Sequence, residues 1–364
     1  MESKKTTGFG RKALGSLSAL ALAIGMVAGS AAPAMAAEFK MAIAHIWPED
    51  MENEVHPALI HFKSIVEAET DGAVEVEIYG NQQLGSEVET GKQAQNGKLL
   101  QSTVISSGAM SSFYKNYQIV TSPFLFPNFQ VAHAFFDGPW FRDFMKGSIE
   151  ESGLRYLGTY DDGGGFVAFT SKKLIRTADD IKGLKIRVEE NPAHVAVMRS
   201  LGASATPLPW GEVVTALGTG LADGQFNAPG VSKFFKLWEV NDYTTLSRHI
   251  YNTQTWLVSD KWMSTLPDNY KEIIIQAARE AVGISHGIAA LQAIVGWEVS
   301  CKEFKECYVL PADERQKMAD IARPAWKNWI VNDFGIQEEK VDALWAEVDR
   351  LTKEIGASND AYGG

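Results

Sequence analysis

The segment that decides the fold runs from residue 182 to residue 202 and has the sequence KGLKIRVEENPAHVAVMRSLG. Residues 184–188 alternate apolar and charged side chains, which predicts a β-strand. Asn191 then precedes Pro192, a favoured first residue of helices, and the apolar segment that follows predicts a helix ending at Gly202. Strand, loop and helix in this order indicate an open α/β sheet, in which ligands bind beyond the carboxyl ends of the strands.

Arg187 stands where this predicted strand ends. Its guanidinium is always charged, and its planar fork of donors matches a carboxylate, a sulfonate or a phosphate. We therefore expect Arg187 to bind an anionic group of a ligand. For an isolated arginine the alternative is a salt bridge at the surface.

The elements before and after this segment predict two α/β units followed by helices. Strands are expected at 39–44, 73–79 and 103–106, with helices at 57–70 and 85–99 between them. The second unit adds extended segments at 204–208 and 222–227 and a helix at 211–217. Helices are then expected at 270–304, 311–329 and 337–355. A mostly parallel sheet covered by helices follows from this order, and the helix at 270–304 spans on the order of 50 Å, longer than one lobe.

The first 36 residues have the features of a secretory signal. Lys4, Lys5, Arg11 and Lys12 precede an apolar stretch, and Ala34-Met35-Ala36 forms an A-x-A cleavage site, so cleavage is expected before Ala37. No later stretch reaches the roughly 18 uncharged apolar residues that a membrane span requires. The sequence predicts an exported protein of the periplasm, with about 328 residues after cleavage.

A chain of this length exceeds the usual limit of a single core, so two lobes with a cleft between them are expected. We place lobe I at 37–164 and 253–292, and lobe II at 165–252 and 293–345. Residues 346–364 form the end of the last helix and a tail.

The charge of the chain excludes some partners. Without the basic residues and Glu2 of the signal, 30 basic and 44 acidic residues remain, a net charge of −14. Such a surface repels nucleic acid and anionic lipid. A ligand that is an anion must therefore be bound by local positive charge.

Cys301 and Cys307 are the two cysteines of the chain. Six residues apart in one helix, they would lie roughly 9 Å from each other, too far for a disulfide. A bridge requires the helix to end between them, and the sequence leaves reduced thiols equally open.

The residues required for catalysis do not form a recognisable set. Ser112 and Lys115 match S-x-x-K, but the companion motifs of acyl-transfer enzymes are missing. The segment DDGGG at 161–165 lacks the spaced oxygen ligands of a calcium loop and indicates a turn or hinge. His56 and His61 are poorly placed for a shared zinc ion. His45 directly follows a predicted strand, and we expect it either to contact ligand or to pack in its loop.

Four segments occur in a recognisable order: QQLGSE at 82–87, SPFLF at 122–126, KGLKIRV at 182–188 and LADGQFN at 221–227. Together they resemble the DctP family, the extracytoplasmic solute-binding proteins of tripartite ATP-independent periplasmic (TRAP) transporters. The last segment is similar to D-G-Q-E-N, with Phe226 where Glu is usual. The resemblance extends over essentially the whole chain after the signal.

The resemblance implies a two-lobed α/β periplasmic binding protein whose long helix spans both lobes and whose cleft closes around an organic anion. It implies that Arg187 pairs with the acid group of the ligand, that Asn227 contacts the ligand and that Trp210 forms an aromatic wall. Gln82 in the first matching segment and Phe166 are further candidates. Trp47, Phe226 and Trp256 are aromatic alternatives, each of which otherwise packs in the core.

Val167 departs from the family pattern, because it stands where an arginine is common. Without that second charge, a dianion would be desolvated with one acid group unpaired. We therefore expect a ligand with one acid group: a monocarboxylate, an oxo or hydroxy acid, or a small sulfonate such as isethionate.

The function predicted from the sequence is that of a binding subunit without catalytic activity, cofactor or metal, which delivers its ligand to the small and large permease subunits of a TRAP transporter. One alternative is a binding protein of an ATP-driven importer or a sensor. The other is a periplasmic acyl-transfer enzyme that uses Ser112 and Lys115.

Overall fold

A computed structural model describes residues 37–357, so the predicted signal at 1–36 and the last part of the predicted tail lie outside the described residues. The strands are β1 Phe39–Ala44, β2 Val74–Tyr79, β3 Ser102–Ser106, β4 Leu154–Ser171, β5 Lys185–Val188, β6 Ser204–Pro207, β7 Gly224–Asn227, β8 Tyr243–Ser259 and β9 Glu306–Val309. The helices are α1 His56–Glu69, α2 Glu87–Asn96, α3 Ser107–Met110, α4 Phe129–Phe136, α5 Pro139–Phe144, α6 Gly147–Ser152, α7 Pro192–Ser200, α8 Val213–Thr219, α9 Pro229–Phe235, α10 Asp260–Met263, α11 Asp268–Glu303, α12 Ala312–Asn328 and α13 Glu338–Ile355.

All nine strands of the described residues belong to one sheet, in the order β2-β1-β3-β8-β4-β7-β5-β6, with β9 beside β8. The outer strands run parallel within each half of the sheet. The central pair, β4 and β8, is antiparallel and joins the two halves. The carboxyl ends of β3, β5 and β7 therefore face the region where the halves meet, which is where an open α/β sheet places its ligand.

The α/β units expected from the sequence are confirmed, including β1 and the unit formed by β5 and α7. Asn191 caps α7 by accepting from the backbone N–H of Ala193, and Pro192 is the first helical residue. Ser86 and Glu89 form a capping box at the start of α2. Local capping chemistry thus fixes both helices that begin beside the central strands.

The segment at 161–165, for which a turn or hinge is expected, is not a loop between elements. It lies inside the continuous strand β4, where the pairing with β8 passes from Asp161 opposite Thr253 to Phe166 opposite Tyr251. The three intervening glycines have φ angles between +64° and +100°, which side chains other than glycine rarely adopt. The segment is therefore a glycine bulge in the central strand.

Helix α11 is the long helix expected from the sequence, and it packs on β4, α1 and α9. By length and apolar composition α11 satisfies the requirement for a membrane span, which the core helices of soluble proteins also satisfy. Cys301 and Cys307 form a disulfide across the end of this helix, with their Cα atoms 5.1 Å apart. The helix ends at Glu303, between the two cysteines, as a bridge requires.

The predicted lobe boundaries stay a prediction, because one sheet runs through both halves. The boundaries predicted at 164/165 and at 292/293 nevertheless lie close together, because Gly164 of the bulge lies against Ala293 of α11. The third, at Thr253, lies on β8 opposite Asp161. Three of the predicted boundaries therefore lie beside the glycine bulge.

Candidate functional site

A cavity of about 590 Å³, including its opening to solvent, lies where the two halves of the sheet meet. Polar side chains reach it from the ends of β3, β5 and β7 and from the middle of β4 and β8. The lining includes Gln82, Glu87, Ser106, Asp162, Arg187, Glu189, Glu190, Trp210, Asn227 and Gln254. The cavity therefore has walls from both halves of the molecule.

Arg187 is buried in the wall of this cavity. Its Nε and Nη2 atoms donate to the backbone carbonyl of Leu208 at 3.0 and 2.7 Å, and Cζ lies 5.8 Å from the ring centre of Trp210. Within residues 37–357 no ion pair involves Arg187, and it is the single Lys or Arg among the described lining residues. Burial lowers its pKa from the ordinary value, and the carboxylate of Glu189 opposes that effect.

Three further candidates from the sequence also line the cavity. Asn227 ends β7, and its amide donates to Gln225 at 2.7 Å while its oxygen accepts from Asn252 at 3.2 Å. Gln82 reaches across from the other half, since its Oε1 would lie 3.4 Å from a Cβ placed on Gly211.

Trp210, next to Gly211, completes this wall. Its ring is partly buried and packs edge-on against Phe235, with 4.7 Å between the ring centres. Arg187, Asn227, Trp210 and Gln82 are thus brought together. Trp47 also lines the cavity, whereas Phe226 and Trp256 belong to the described core and do not reach it.

Phe166 and His45 are not among the residues that line the cavity, so the structure does not bring them together with the other candidates. For His45 this position favours the alternative of packing in its loop. Phe166 is enclosed by aromatic rings and by Arg248, whose guanidinium carbon lies 4.3 Å from the ring centre. His45 is buried beside His56, with Nε2 3.2 Å from Nδ1 of that residue. Burial lowers the pKa of His45 to about 3, so it stays neutral in the protein interior.

Sequence reasoning missed the carboxylates of the site. Four acidic side chains line the cavity: Glu87, Asp162, Glu189 and Glu190. Glu189 lies two residues after Arg187 and so faces the same side of an extended chain. That spacing was the available signal in the sequence, and it was not used.

These carboxylates differ in how they are held. Glu87 accepts from the backbone N–H and the hydroxyl of Ser106 at 2.6 and 3.0 Å, and Asp162 accepts from Gln254 at 3.1 Å. Glu189 Oε2 is buried and has only long or partial contacts within the described residues. Burial raises the pKa of Asp162 to about 6, of Glu87 to about 7 and of Glu189 to about 8.

Comparisons with known proteins identify the family of this chain. The family described as "DctP: Bacterial extracellular solute-binding protein, family 7" matches residues 43–332. The chain belongs to this family. Members of the DctP family are periplasmic transport-binding proteins, and those of TRAP transporters bind small organic acids and work with membrane permease subunits.

Individual DctP-family proteins differ in the ligand that they are named for. The C4-dicarboxylate-binding periplasmic protein DctP of Rhodobacter capsulatus is 27% identical over 86% of this chain and 92% of its own. The ectoine/5-hydroxyectoine-binding protein UehA of Ruegeria pomeroyi is 31% identical over 60% of this chain and 64% of its own.

A solved TRAP periplasmic solute-binding protein from Desulfovibrio salexigens, with bound orotic acid, is 27% identical. It superposes with a TM-score of 0.80 over 86% of this chain and 99% of its own. The architecture is therefore the two-lobed α/β fold of TRAP periplasmic binding proteins.

One group of side chains in this DctP-family protein has the composition of a metal site but lies outside the cavity lining. His133, Asp161 and His286 offer ligand atoms within 4.8 Å of one another. His133 Nε2 and His286 Nδ1 lie 2.7 and 3.4 Å from Asp161 Oδ2, and the two imidazole rings stack with centres 3.8 Å apart. Hydrogen bonds among the three residues account for the arrangement.

Ser112 and Lys115 are exposed and do not line the cavity. The backbone N–H of Lys115 donates to Glu151, and its ammonium lies 5.2 Å from the ring centre of Phe334. The S-x-x-K match therefore has no place in the site of this DctP-family chain.

Proposed function

We propose that this protein is the periplasmic binding subunit of a TRAP transporter and captures a small organic acid through one acid group held by Arg187. The observation that carries the proposal is the position of Arg187, buried in a cavity between the two halves and paired with a backbone carbonyl rather than with a carboxylate. A charge-assisted pair with a ligand acid would use the remaining donors of its fork.

The same cavity favours a ligand with one acid group. Val167, at the position where the family commonly has arginine, is fully buried in β4 and offers no charge. A second acid group would enter a wall that already contains Glu87, Asp162 and Glu189. Monocarboxylates, oxo or hydroxy acids and small sulfonates such as isethionate fit this description.

The relatives support an acid as ligand, since a C4-dicarboxylate and orotic acid are named for two of them. Closure of two lobes around the ligand is the expected behaviour of periplasmic binding proteins. In our proposal lobe I, at 37–164 and 253–292, closes on lobe II, at 165–252 and 293–345. The closed protein then delivers the acid to the small and large permease subunits after export to the periplasm.

A thermal-shift screen of the purified protein against organic acids tests the proposal. A ligand that binds only the folded state stabilises it by about 2.7 kcal/mol at a hundredfold excess over Kd, so a micromolar ligand gives a clear shift. We expect at least one acid to raise Tm, and the shift to disappear in Arg187→Ala. A Kd for that acid in Arg187→Ala within about threefold of the wild-type value, well below the loss expected for an unpaired buried charge, would contradict the proposal.

A further inference from the structure

The charges of the cavity favour, among the acids with one acid group, those that also carry a positive charge. One cation, Arg187, faces four carboxylates among the described lining residues. Asp162 and Glu189 are buried, and the chain exposes Glu190 at the rim. An acid bound at Arg187 would bring one more negative charge into this wall, and like charges in a site closed from water repel strongly.

Unpaired acceptor atoms lie in the same wall. Gln254 Oε1 is buried and accepts no hydrogen bond within the described chain, and the buried Glu189 Oε2 has only long or partial contacts, with His194 Nδ1 at 3.4 Å and with the backbone of Gly108. The orientation of the Gln254 amide is fixed, because its Nε2 donates to Asp162 at 3.1 Å. Buried polar atoms are normally hydrogen-bonded, so orphaned acceptors indicate a missing donor. Trp47 Nε1, the other buried donor of the described lining, is directed at Asp162 and leaves these acceptors without a donor.

The carboxylates are also held in place for a partner. Ser106 orients Glu87 with two hydrogen bonds. Glu189 lies against α3, where a Cβ on Gly108 would be 2.2 Å from its Oε2. Glycine at this position therefore gives Glu189 the space that it occupies. Burial raises the pKa of Glu189 and Asp162 although Arg187 lies nearby, so a cation placed beside them would favour their ionised forms.

We infer that the ligand is a zwitterion, whose acid group pairs with Arg187 and whose protonated nitrogen lies among Glu87, Asp162 and Glu189. The inference rests on the proposed function, because it assigns the other end of the acid held by Arg187. An ammonium group offers three donors, and other protonated nitrogens offer one or two, without any acceptor. Such a group satisfies the orphaned acceptors and neutralises the carboxylates together.

Two other kinds of ligand would each meet part of what the unpaired acceptors and the carboxylates of the cavity require. A hydroxylated acid brings donors without positive charge, and a divalent cation bound together with a plain acid brings charge without donors. The experiment separates both from a zwitterion.

Pairs of acids that differ in one group test the inference. We would measure binding of taurine and isethionate, 3-aminopropionate and 3-hydroxypropionate, 4-aminobutyrate and 4-hydroxybutyrate, and proline and tetrahydrofuran-2-carboxylate. Affinities would be measured by calorimetry at pH 7.5, with EDTA present to remove divalent cations. We expect the nitrogen member of at least one pair to bind about tenfold or more tightly than its oxygen counterpart, since it alone pairs with buried carboxylates.

The possible outcomes distinguish a failure of the zwitterion inference from a failure of the proposed function. Equal or tighter binding of the oxygen members overturns the zwitterion and leaves the proposed function standing. Acid binding that appears only when calcium or magnesium replaces EDTA also overturns it. If no acid of either kind binds, the proposed function fails, and this inference fails with it.

Two variants locate the nitrogen. In Glu189→Gln and in Asp162→Asn we expect the nitrogen member to lose about tenfold or more in affinity, while its oxygen partner keeps or gains affinity. Glu339→Gln, an exposed position at the start of α13, is the matched control and should change neither. An equal loss for both members in the two cavity variants would mean that these carboxylates shape the cavity without binding a nitrogen.

Discussion

The guanidinium of Arg187 is fixed by the backbone carbonyl of Leu208, which accepts from Nε at 3.0 Å and from Nη2 at 2.7 Å. Two donors on one carbonyl set the plane of the guanidinium as well as its position. The remaining donors are therefore oriented before ligand arrives, which lowers the entropic cost of binding. A lysine side chain has no planar fork and cannot make this arrangement.

Arg187→Lys is accordingly predicted to weaken acid binding by about tenfold or more, although the charge is retained. The measurement is the calorimetric Kd of the acid found in the screen. Arg199→Lys, on the exposed face of α7, is the control and should bind normally. Wild-type affinity in Arg187→Lys would mean that charge alone, without fork geometry, holds the acid.

The glycine bulge of β4 gives a second prediction. A Cβ on Gly164 would lie 2.8 Å from the Cα of Ala293, and its φ of +100° is one that alanine rarely adopts. Gly164→Ala should therefore destabilise the protein by about 1–3 kcal/mol. Gly283 of α11 is the matched control, since a Cβ there meets nothing within 4 Å.

Gly283→Ala should stabilise the protein by up to about 1 kcal/mol, because alanine favours a helix interior over glycine. Urea unfolding of both variants measures the difference. If Gly164→Ala unfolds at the same urea concentration as wild type, α11 and β4 do not form a rigid contact at the bulge.

The fold was predictable from the sequence where local chemistry determines it. Pro192 and its capping neighbour Asn191 define α7, and the strict alternation at 74–78 defines β2. The long strands were not predicted, because β4 is buried along most of its length and therefore lacks alternation. Its three glycines resembled a turn, and only pairing with β8 keeps them in the sheet.

The site was predictable only in part, for a related reason. Arg187 and Asn227 end strands, and a strand end is visible in the sequence. The importance of Asp162 depends on β4 passing through the centre of the sheet, which no local pattern indicates. Phe166 and His45 also lie in or directly after strands of the sheet, as the residues that line the cavity do. Tertiary packing nevertheless buries both side chains in the protein interior.

The buried carboxylate of Asp161 gives a third prediction. It accepts from His133 Nε2 at 2.7 Å, from Tyr251 and, at 3.4 Å, from His286. Burial alone would raise its pKa, but the charge and hydrogen bond of His133 outweigh burial and lower the pKa well below the ordinary value. Removing the charge leaves His133 without its counter-charge, while His286 keeps only the partly exposed Asp137, 3.3 Å from its Nε2.

Asp161→Asn is therefore expected to cost about 3–5 kcal/mol of the free energy of unfolding, the usual loss when one member of a buried ion pair is removed. Asp143→Asn breaks an exposed pair with Lys146 and should cost less than about 1 kcal/mol. Urea denaturation followed by tryptophan fluorescence compares the two. Equal losses would show that the Asp161 cluster contributes no more than a surface pair.

The raised pKa values predict how stability depends on pH without ligand. Burial raises the pKa of Glu87 from 4.5 to about 7, and of Glu54 and Glu189 from 4.5 to about 8. Hydrogen bonds with Asp137 and Asp161 raise the pKa of His286 from 6.5 to about 9, against the effect of burial. The folded chain thus holds protons that the unfolded chain has released, so the free energy of unfolding falls as pH rises through these values.

Other groups do not reverse this trend above pH 6.5. The pKa of each of three buried histidines is lowered to about 3, so the cost of keeping them neutral in the folded chain falls as pH rises and has nearly vanished about one pH unit above the unfolded value of 6.5. They are His45, His194 and His249. Urea unfolding at pH 6.5, 7.5 and 9.0 should therefore show a steady loss of stability.

Glu189 is the group whose share of this loss is most easily isolated. It faces Arg187, Asp162 and Glu87 in the cavity, and its Oε2 lies 3.4 Å from His194 Nδ1. Glutamine cannot release a proton, so Glu189→Gln should flatten the decline between pH 6.5 and 8 by up to about 1.4 kcal/mol per pH unit. Glu339→Gln at the surface should keep the wild-type slope. A slope in Glu189→Gln as steep as that of wild type would mean that Glu189 is already ionised in the empty cavity, and that another group releases the proton.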